Sequence, residues 1–379
     1  MLSHLGNKIL SKIIFFLTAL LPKKKWFVIQ TFPTWEDSGV VIYKELLKTN
    51  IKKIIWLVPE LPTNPPIEID KSKTKFIKRK SIKGICYFIL SKYVFITHGL
   101  YFRNFPKNQV SVNMWHGMPL KKIGLLNNGI GLKTTYTLST STFFNETLSK
   151  SFGVSKESIL PIGLPRNENL FCKENQIKKQ LKLEKDTRIV FWLPTYRKSS
   201  IGEIREDGTV FNNPFNLPDF DQPSFNYFLK EHNIVCFFKV HPMADMGNYN
   251  SSSNLLLIDD EYLYQRKLSL YKTLAAADFL ISDISSIVVD YLLLDKPIIF
   301  SFADKEAYIN SRGLNSTEII DNPPGKICFS QNDILDQIQL LVEGIDEYKE
   351  NRKKLKQLYH GQTDYKDCSK KLFKKLNLY

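Results

Sequence analysis

Phe279-Leu-Ile-Ser-Asp-Ile-Ser-Ser-Ile-Val-Val-Asp-Tyr-Leu-Leu-Leu-Asp-Lys-Pro-Ile-Ile-Phe300 holds the unit from which the fold is read. Phe279 to Ser282 is an apolar run of strand length, Ile287 to Leu294 carries apolar residues at helical spacing, and Pro297 to Phe300 is a second apolar run. Strands joined through a helix pair in parallel, because parallel neighbours need a long crossover. Outward from this unit, Arg188 to Leu193, Ile234 to Val240 and Leu255 to Ile258 read as strands, and Leu263 to Ala277 as a helix. The first half has the same alternation: strands at Trp26 to Gln30, Ile54 to Val58, Tyr93 to Thr97 and Gln109 to Val112, with helices at Gly39 to Lys48 and Ile82 to Leu90. Pro59 to Ile69 is irregular and Lys71 to Lys80 is strongly basic. A charged helical stretch, Lys173 to Lys185, separates the two series.

The pattern predicts an α/β protein of two doubly wound, Rossmann-like domains facing a cleft. The expected division is an amphipathic helix over 1–25, a first domain over 26–180, a second over 181–345, and a basic helical tail over 346–379 that frays at its end. Open α/β sheets bind ligands at the carboxyl ends of their strands, so the chemistry is expected in the loops that follow strands.

A chain of 379 residues with 43% hydrophobic content fills two cores of ordinary size. Its net charge of +15, from 53 Lys and Arg against 38 Asp and Glu, calls for anionic partners. The cysteines Cys86, Cys172, Cys236, Cys328 and Cys368 are scattered and include no C-x-x-C pair, which argues against a disulfide framework and a zinc site and fits a reducing cytoplasm. The basic residues run from Lys8 to Lys375 with no recognised motif, so no nucleic-acid partner is expected.

At the N-terminus, Leu2, Leu5, Ile9, Leu10, Ile13, Phe16, Leu17 and Leu20 recur at helical spacing opposite His4, Lys8 and Lys12. Ile13 to Leu21 is well short of the ~20 apolar residues a spanning helix needs. Pro22 ends the helix, and Lys23, Lys24 and Lys25 add charge that an anionic leaflet attracts. The expectation is a helix lying in the plane of an anionic membrane surface, at its cytoplasmic face. A core helix of the first domain fits the same spacing.

The densest polar segment of the first half is Asn113-Met-Trp-His-Gly-Met-Pro-Leu-Lys-Lys-Ile-Gly124. His116, with its backbone fixed by Gly117 and Pro119, is placed to take a hydroxyl proton near neutral pH. Lys121 and Lys122 are placed to hold an anionic acceptor. A strand-end histidine bonded to a carbonyl, with two solvated lysines, fits as well. In Cys236-Phe-Phe-Lys-Val-His-Pro242, Lys239 and His241 point to one face and suit a diphosphate, with a buried structural histidine as the alternative. Ser285 and Ser286 start a helix whose N–H groups suit phosphate, and Asp290 follows one turn later to accept ribose hydroxyls or orient the loop; an ordinary serine cap is the plainer reading. Thr195 and Arg197 of Leu193-Pro-Thr-Tyr-Arg-Lys198 offer themselves to phosphate oxygens, and Arg166 is the one charge of Gly163-Leu-Pro-Arg-Asn167.

Together these segments resemble the CDP-glycerol glycerophosphotransferase family of teichoic-acid primases and polymerases. Trp115-His-Gly-Met-Pro-Leu-Lys-Lys-Ile-Gly124, Gly163-Leu-Pro-Arg-Asn167, Pro194-Thr-Tyr-Arg197, Lys239-Val-His-Pro242 and Ser282 to Pro297 occur in the family's order. The resemblance implies a glycosyltransferase-B-like fold, with the acceptor on the first domain and the CDP donor on the second. It implies catalytic roles for His116, as base on the acceptor hydroxyl, and for His241, at the donor diphosphate. Thr195, Arg197, Lys239, Pro242, Ser285, Ser286 and Asp290 join the donor side; Lys121, Lys122 and Arg166 join the acceptor side. Met118 stands where the family usually has a small polar residue, which bears on acceptor specificity.

The expected reaction is in-line attack of an acceptor hydroxyl on the β-phosphorus of CDP-glycerol or CDP-ribitol, with CMP leaving. The acceptor is expected to be a lipid-linked or polymeric phosphate or glycan of a teichoic acid or capsule. No cofactor and no metal are required: Asp219-Phe-Asp221 matches D-x-D but lies in a loop between Pro218 and Pro223. A glycosyltransferase of the same fold, attacking a nucleotide sugar, is the rival reading.

Overall fold

The alternating apolar runs fold into two parallel sheets, each within its own compact unit. The computed structural model describes residues 2–195, 197–199, 205–211, 213–239, 249–361 and 364–379. One unit comprises Met1–Met118, Ile123–Glu168 and Gln362–Tyr379; the other comprises Pro119–Lys122 and Asn169–Gly361. The division drawn along the chain at 180 and 345 thus differs from the compact units: a four-residue segment of the first half belongs with the second unit, and the last residues return to the first.

In the first unit the strands are β1 (Lys24–Gln30), β2 (Ile54–Val58), β3 (Thr74–Lys78), β4 (Ser91–Ile96), β5 (Val110–Asn113), β6 (Tyr136–Leu138) and β7 (Ile159–Leu160). They lie in the order β3-β2-β1-β4-β5-β6-β7, every neighbouring pair parallel. The order reverses direction between β1 and β4, so the switch point opens beside the loops that leave these two strands.

In the second unit, β8 (Arg188–Leu193) is followed by a small antiparallel ribbon, β9 (Lys198–Ser199) and β10 (Arg205–Glu206). Then come β11 (Ile234–Phe238), β12 (Leu255–Leu257), β13 (Phe279–Ser282), β14 (Ile298–Ser301) and β15 (Gly325–Cys328). The parallel sheet runs β12-β11-β8-β13-β14-β15, with its switch point between β8 and β13. Trp192 of β8 and Phe238 of β11 both pack on Phe215, at ring-centroid distances of 5.0 and 4.1 Å, closing one face of this sheet.

The first helix, α1 (Leu2–Leu20), packs on the first unit along one face. Ile14 and Thr18, one turn apart, are buried, and Phe15 meets Phe102 edge-on at 5.5 Å. The Asn108 side-chain amide donates to the Thr18 and Ala19 carbonyls, and the Lys23 ammonium bonds the Thr18 and Ile89 carbonyls. The apolar stripe found in the sequence is the other face: Ile9, Leu10, Ile13, Phe16, Leu17 and Leu20 are exposed, Phe16 at 62% and Leu20 at 65%. No helix among the described residues is long and apolar enough to cross a membrane.

Two further expectations change. The helix expected over Leu263 to Ala277 is broken into Asp260–Tyr264 and Leu270–Leu274, because Lys267 turns left-handed at φ 57°. The tail does not fray: Leu372 and Phe373 are fully buried in the first unit, Phe373 stacking on Phe95 of β4.

Candidate active site

In the first unit, β5 ends at Asn113, whose side-chain carbonyl accepts the Trp115 N–H at 3.0 Å. This Asx turn holds Trp115 left-handed, at φ 52°, a conformation a bulky residue adopts only where its surroundings enforce it. Gly117 follows at φ 124°, where a side chain is rarely tolerated. The Met114 N–H bonds the Ile96 carbonyl, tying the loop to the end of β4. The outcome is an exposed His116 held over the carboxyl edge of the sheet. Its Nδ1 lies 3.5 Å from the Thr97 carbonyl, a contact that favours a proton on Nδ1 and leaves Nε2 as the basic nitrogen. Its ring lies parallel to that of His98, 5° apart in plane and 4.5 Å between centroids. Met118 is buried, with the Ser139 hydroxyl 3.8 Å from its sulfur, so it is a core residue of this loop.

The loop after β1 supplies Glu36, whose carboxylate accepts the N–H groups of Ser38 and Gly39 and caps α2 (Asp37–Leu47). Arg166 is buried 3.8 Å from the same carboxylate. Burial pushes the Glu36 carboxyl up to about 7, against the opposing pull of Arg166. Arg166 is thus engaged inside the first unit, beside a carboxylate the sequence reading did not single out.

In the second unit, the loops after β8, β13 and β14 are locked together by charge. The Arg197 guanidinium bonds both oxygens of Asp304, at 2.6 and 2.8 Å, and Oδ2 of Asp283 at 2.7 Å. Burial works against this cation, but the two carboxylates outweigh it and raise its pKa. Asp283 Oδ2 also accepts the Thr195 hydroxyl at 2.5 Å and the Thr195 N–H at 3.1 Å. Arg197 and Thr195, expected on phosphate oxygens, instead brace the switch-point loops against each other.

Asp290, expected on a ribose, is fully buried and accepts the Tyr271 hydroxyl at 2.6 Å. Of the two roles read for it, orienting the loop is the one its burial permits. Ser285 precedes the helix Ser286–Tyr291 with extended backbone and no side-chain capping bond. Lys239, just past β11, lies 3.2 Å from Asp260. Lys121 donates to the Tyr308 hydroxyl at 3.0 Å, and Lys122 takes a backbone bond from its N–H to the Gly313 carbonyl, so both lysines go with the second unit. His241 and Pro242 lie outside the described residues. The D-x-D carboxylates serve helix ends: Asp219 accepts the Gln331 N–H and Asp221 the Ser224 N–H.

Sequence reading passed over Thr97, His98, Glu36, Asp283 and Asp304. The signal for His98 was present in Thr97-His-Gly99 directly after a strand; Asp304 carried none, because it meets Arg197 only through the sheet order.

Two doubly wound parallel sheets, each gathering polar loops at its switch point, define a glycosyltransferase-B-like α/β fold. The chain belongs to the family described as CDP-Glycerol:Poly(glycerophosphate) glycerophosphotransferase, whose model matches residues 10–376. It is similar to the teichoic acid glycerol-phosphate transferase of Staphylococcus aureus, 26% identical over 67% of this chain and 69% of that protein. It is also similar to the teichoic acid ribitol-phosphate polymerase TarL of the same organism, 25% identical over 82% of this chain but 56% of the relative's length. Among solved structures, the wall teichoic acid polymerase TagF in a form soaked with CDPG superposes with a TM-score of 0.74 at 21% identity, over 99% of this chain and 96% of that one.

Proposed function

We propose that this enzyme transfers glycerol phosphate from CDP-glycerol to a hydroxyl of a lipid-linked or polymeric acceptor in the synthesis of a teichoic acid or capsule-type surface polymer, releasing CMP. The observation that carries the reading is the family match across residues 10–376, joined to a strand-end loop that displays His116 with its Nδ1 turned to a carbonyl. In this reading His116 Nε2 takes the acceptor proton as its oxygen attacks the β-phosphorus. Lys239, His241, Ser285 and Ser286 hold the donor phosphates, with Pro242 next to His241 on the donor side, while Arg197, Thr195, Asp283 and Asp304 keep their loops in place. Lys121 and Lys122 face the acceptor, and Arg166 holds the loop before it.

The enzyme is proposed to work at the cytoplasmic face of the membrane, attached peripherally through the exposed stripe of α1 and the lysines that follow. A release assay tests the reaction: CMP formed from CDP-glycerol in the presence of a glycerophosphate-primed acceptor is the expected result. Preferential turnover of CDP-ribitol changes the donor, and UDP released from a UDP-sugar overturns the reading in favour of sugar transfer.

A further inference from the structure

His98 leaves the end of β4 and lies parallel to His116, with ring centroids 4.5 Å apart and planes within 5°. Thr97 serves both rings. Its carbonyl faces His116 Nδ1 at 3.5 Å, and its hydroxyl meets His98 Nδ1 at 3.0 Å. The same hydroxyl oxygen accepts the Phe32 N–H at 3.1 Å, which ties the loops after β1 and β4 together at the switch point. Phe32 also meets His98 edge-on at 5.7 Å. One imidazole is therefore fixed on several sides, and the exposed one rests against it.

Resting on the reading of His116 as base, we propose that His98 is a positioning residue: it fixes the plane of the His116 ring and stacks against the imidazolium formed in the reaction. That imidazolium appears when the acceptor hydroxyl gives its proton to His116 Nε2, its oxygen bonds to phosphorus, and CMP departs with the electron pair of the broken P–O bond. A neutral π-face beside a new cation is attractive, whereas a second cation there would oppose the proton transfer. Burial, with the Arg103 guanidinium nearby, pushes His98 down to about 4, so it does not compete for the proton at neutral pH. Phe32 and Trp115 add uncharged ring surface to the same cluster.

The test compares His98→Ala and His98→Phe in the full-length enzyme, with donor KM and kcat measured separately. In His98→Ala, kcat is expected to fall about tenfold, the size of one partly buried cation–π contact, while KM for CDP-glycerol is unchanged. His98→Phe keeps a flat ring and is expected to recover most of the loss. In a His116→Ala background, adding His98→Ala is expected to cost nothing further, because the ring it supports is gone. Thermal melting checks that each variant is folded; if His98→Ala unfolds, His98→Phe is compared with wild type instead, and a folded His98→Phe enzyme slowed about tenfold or more overturns the proposal. Normal kcat in His98→Ala, or a His98→Phe enzyme that is folded and as slow as His98→Ala, overturns the proposal while leaving His116 as base. Normal turnover in His116→Ala overturns the base reading and the proposal with it.

Discussion

Replacing Arg197 with Ala leaves Asp283 and Asp304 buried without the cation that neutralises them, and the expected loss of stability is about 3–5 kcal/mol. Arg197→Lys recovers only part of this, because an ammonium cannot make the two-pronged contact with Asp304. Chemical denaturation of both variants checks the order. A folded, wild-type-stable Arg197→Ala enzyme with weak donor binding would return this residue to phosphate contact. Glu36 gives a second test at this scale. Its folded pKa, about 7, lies above the ordinary value of 4.5, so its share of stability is full below pH 4.5 and is lost as pH rises through 7. The shift corresponds to about 3 kcal/mol at ~1.4 kcal/mol per unit. Glu36→Gln should remove that slope, so the stability difference from wild type changes between pH 4.5 and 7 and is level on either side. An unchanged slope would mean another group titrates there. Both residues show what was legible. A motif such as Pro194-Thr-Tyr-Arg197 announces that arginine matters, but its partners come from the loops after β13 and β14, about a hundred residues away, and only the sheet order brings them together.

At the scale of elements, strongly apolar segments were readable, the edge strand β12 among them, whereas the edge strands β3, β7 and β15 were not. β2 is apolar throughout, β8 and β13 are apolar but for Arg188 and Ser282 at their ends, and all three appear in the sequence with their observed ends. β3 lies within Lys71 to Lys80, where lysines hide the inward-facing Thr74 and Ile77; charged residues on an edge strand discourage pairing with other chains. α1 shows a finer limit, since periodicity locates a helix and its apolar stripe but not which side docks. Ile14 and Thr18 lie outside the stripe that was read, and they are the buried pair. This separation makes the membrane proposal testable without deleting the helix. Phe16→Asp with Leu20→Asp, both on the exposed face, should release the enzyme from anionic vesicles and leave its melting temperature within a few degrees. Ile14→Asp should instead destabilise the first unit by several kcal/mol, since it buries a charge. Co-sedimentation at low and raised salt reads the first effect. If the double variant binds vesicles as tightly as wild type, α1 is not the anchor.

At the scale of the whole molecule, the path of the chain matters more than its linear order. After the helix Lys349–His360 it returns to the first unit, where the Tyr365 hydroxyl donates to the Thr140 carbonyl at 2.7 Å. The Ser369 N–H donates to the Glu168 carboxylate at 2.6 Å, and Leu372 and Phe373 are buried. Gly163, the first residue of the Gly-Leu-Pro-Arg motif, sits under this segment at φ 90°, and a Cβ there would lie 2.5 Å from the Cys368 sulfur. Part of that motif's signature is therefore packing for the returning chain, a reading that no local spacing supplies. Each buried Leu or Phe is worth about 1.5–3 kcal/mol, so truncation after Gly361 should cost the first unit several kcal/mol. Gly163→Ala, which forces a side chain into the same contact, should weaken the same unit more mildly. Hydrogen exchange followed by mass spectrometry distinguishes the units. Peptides from β4, β5 and the Thr140 region should lose protection in both variants, while peptides from β8, β13 and β14 keep theirs. The effect reaches His116, because β4 and β5 carry its loop, so the truncated enzyme should lose turnover without losing the fold of the second unit. Unchanged exchange in β4 and β5 after truncation would reduce the returning segment to a cover over a core that stands without it.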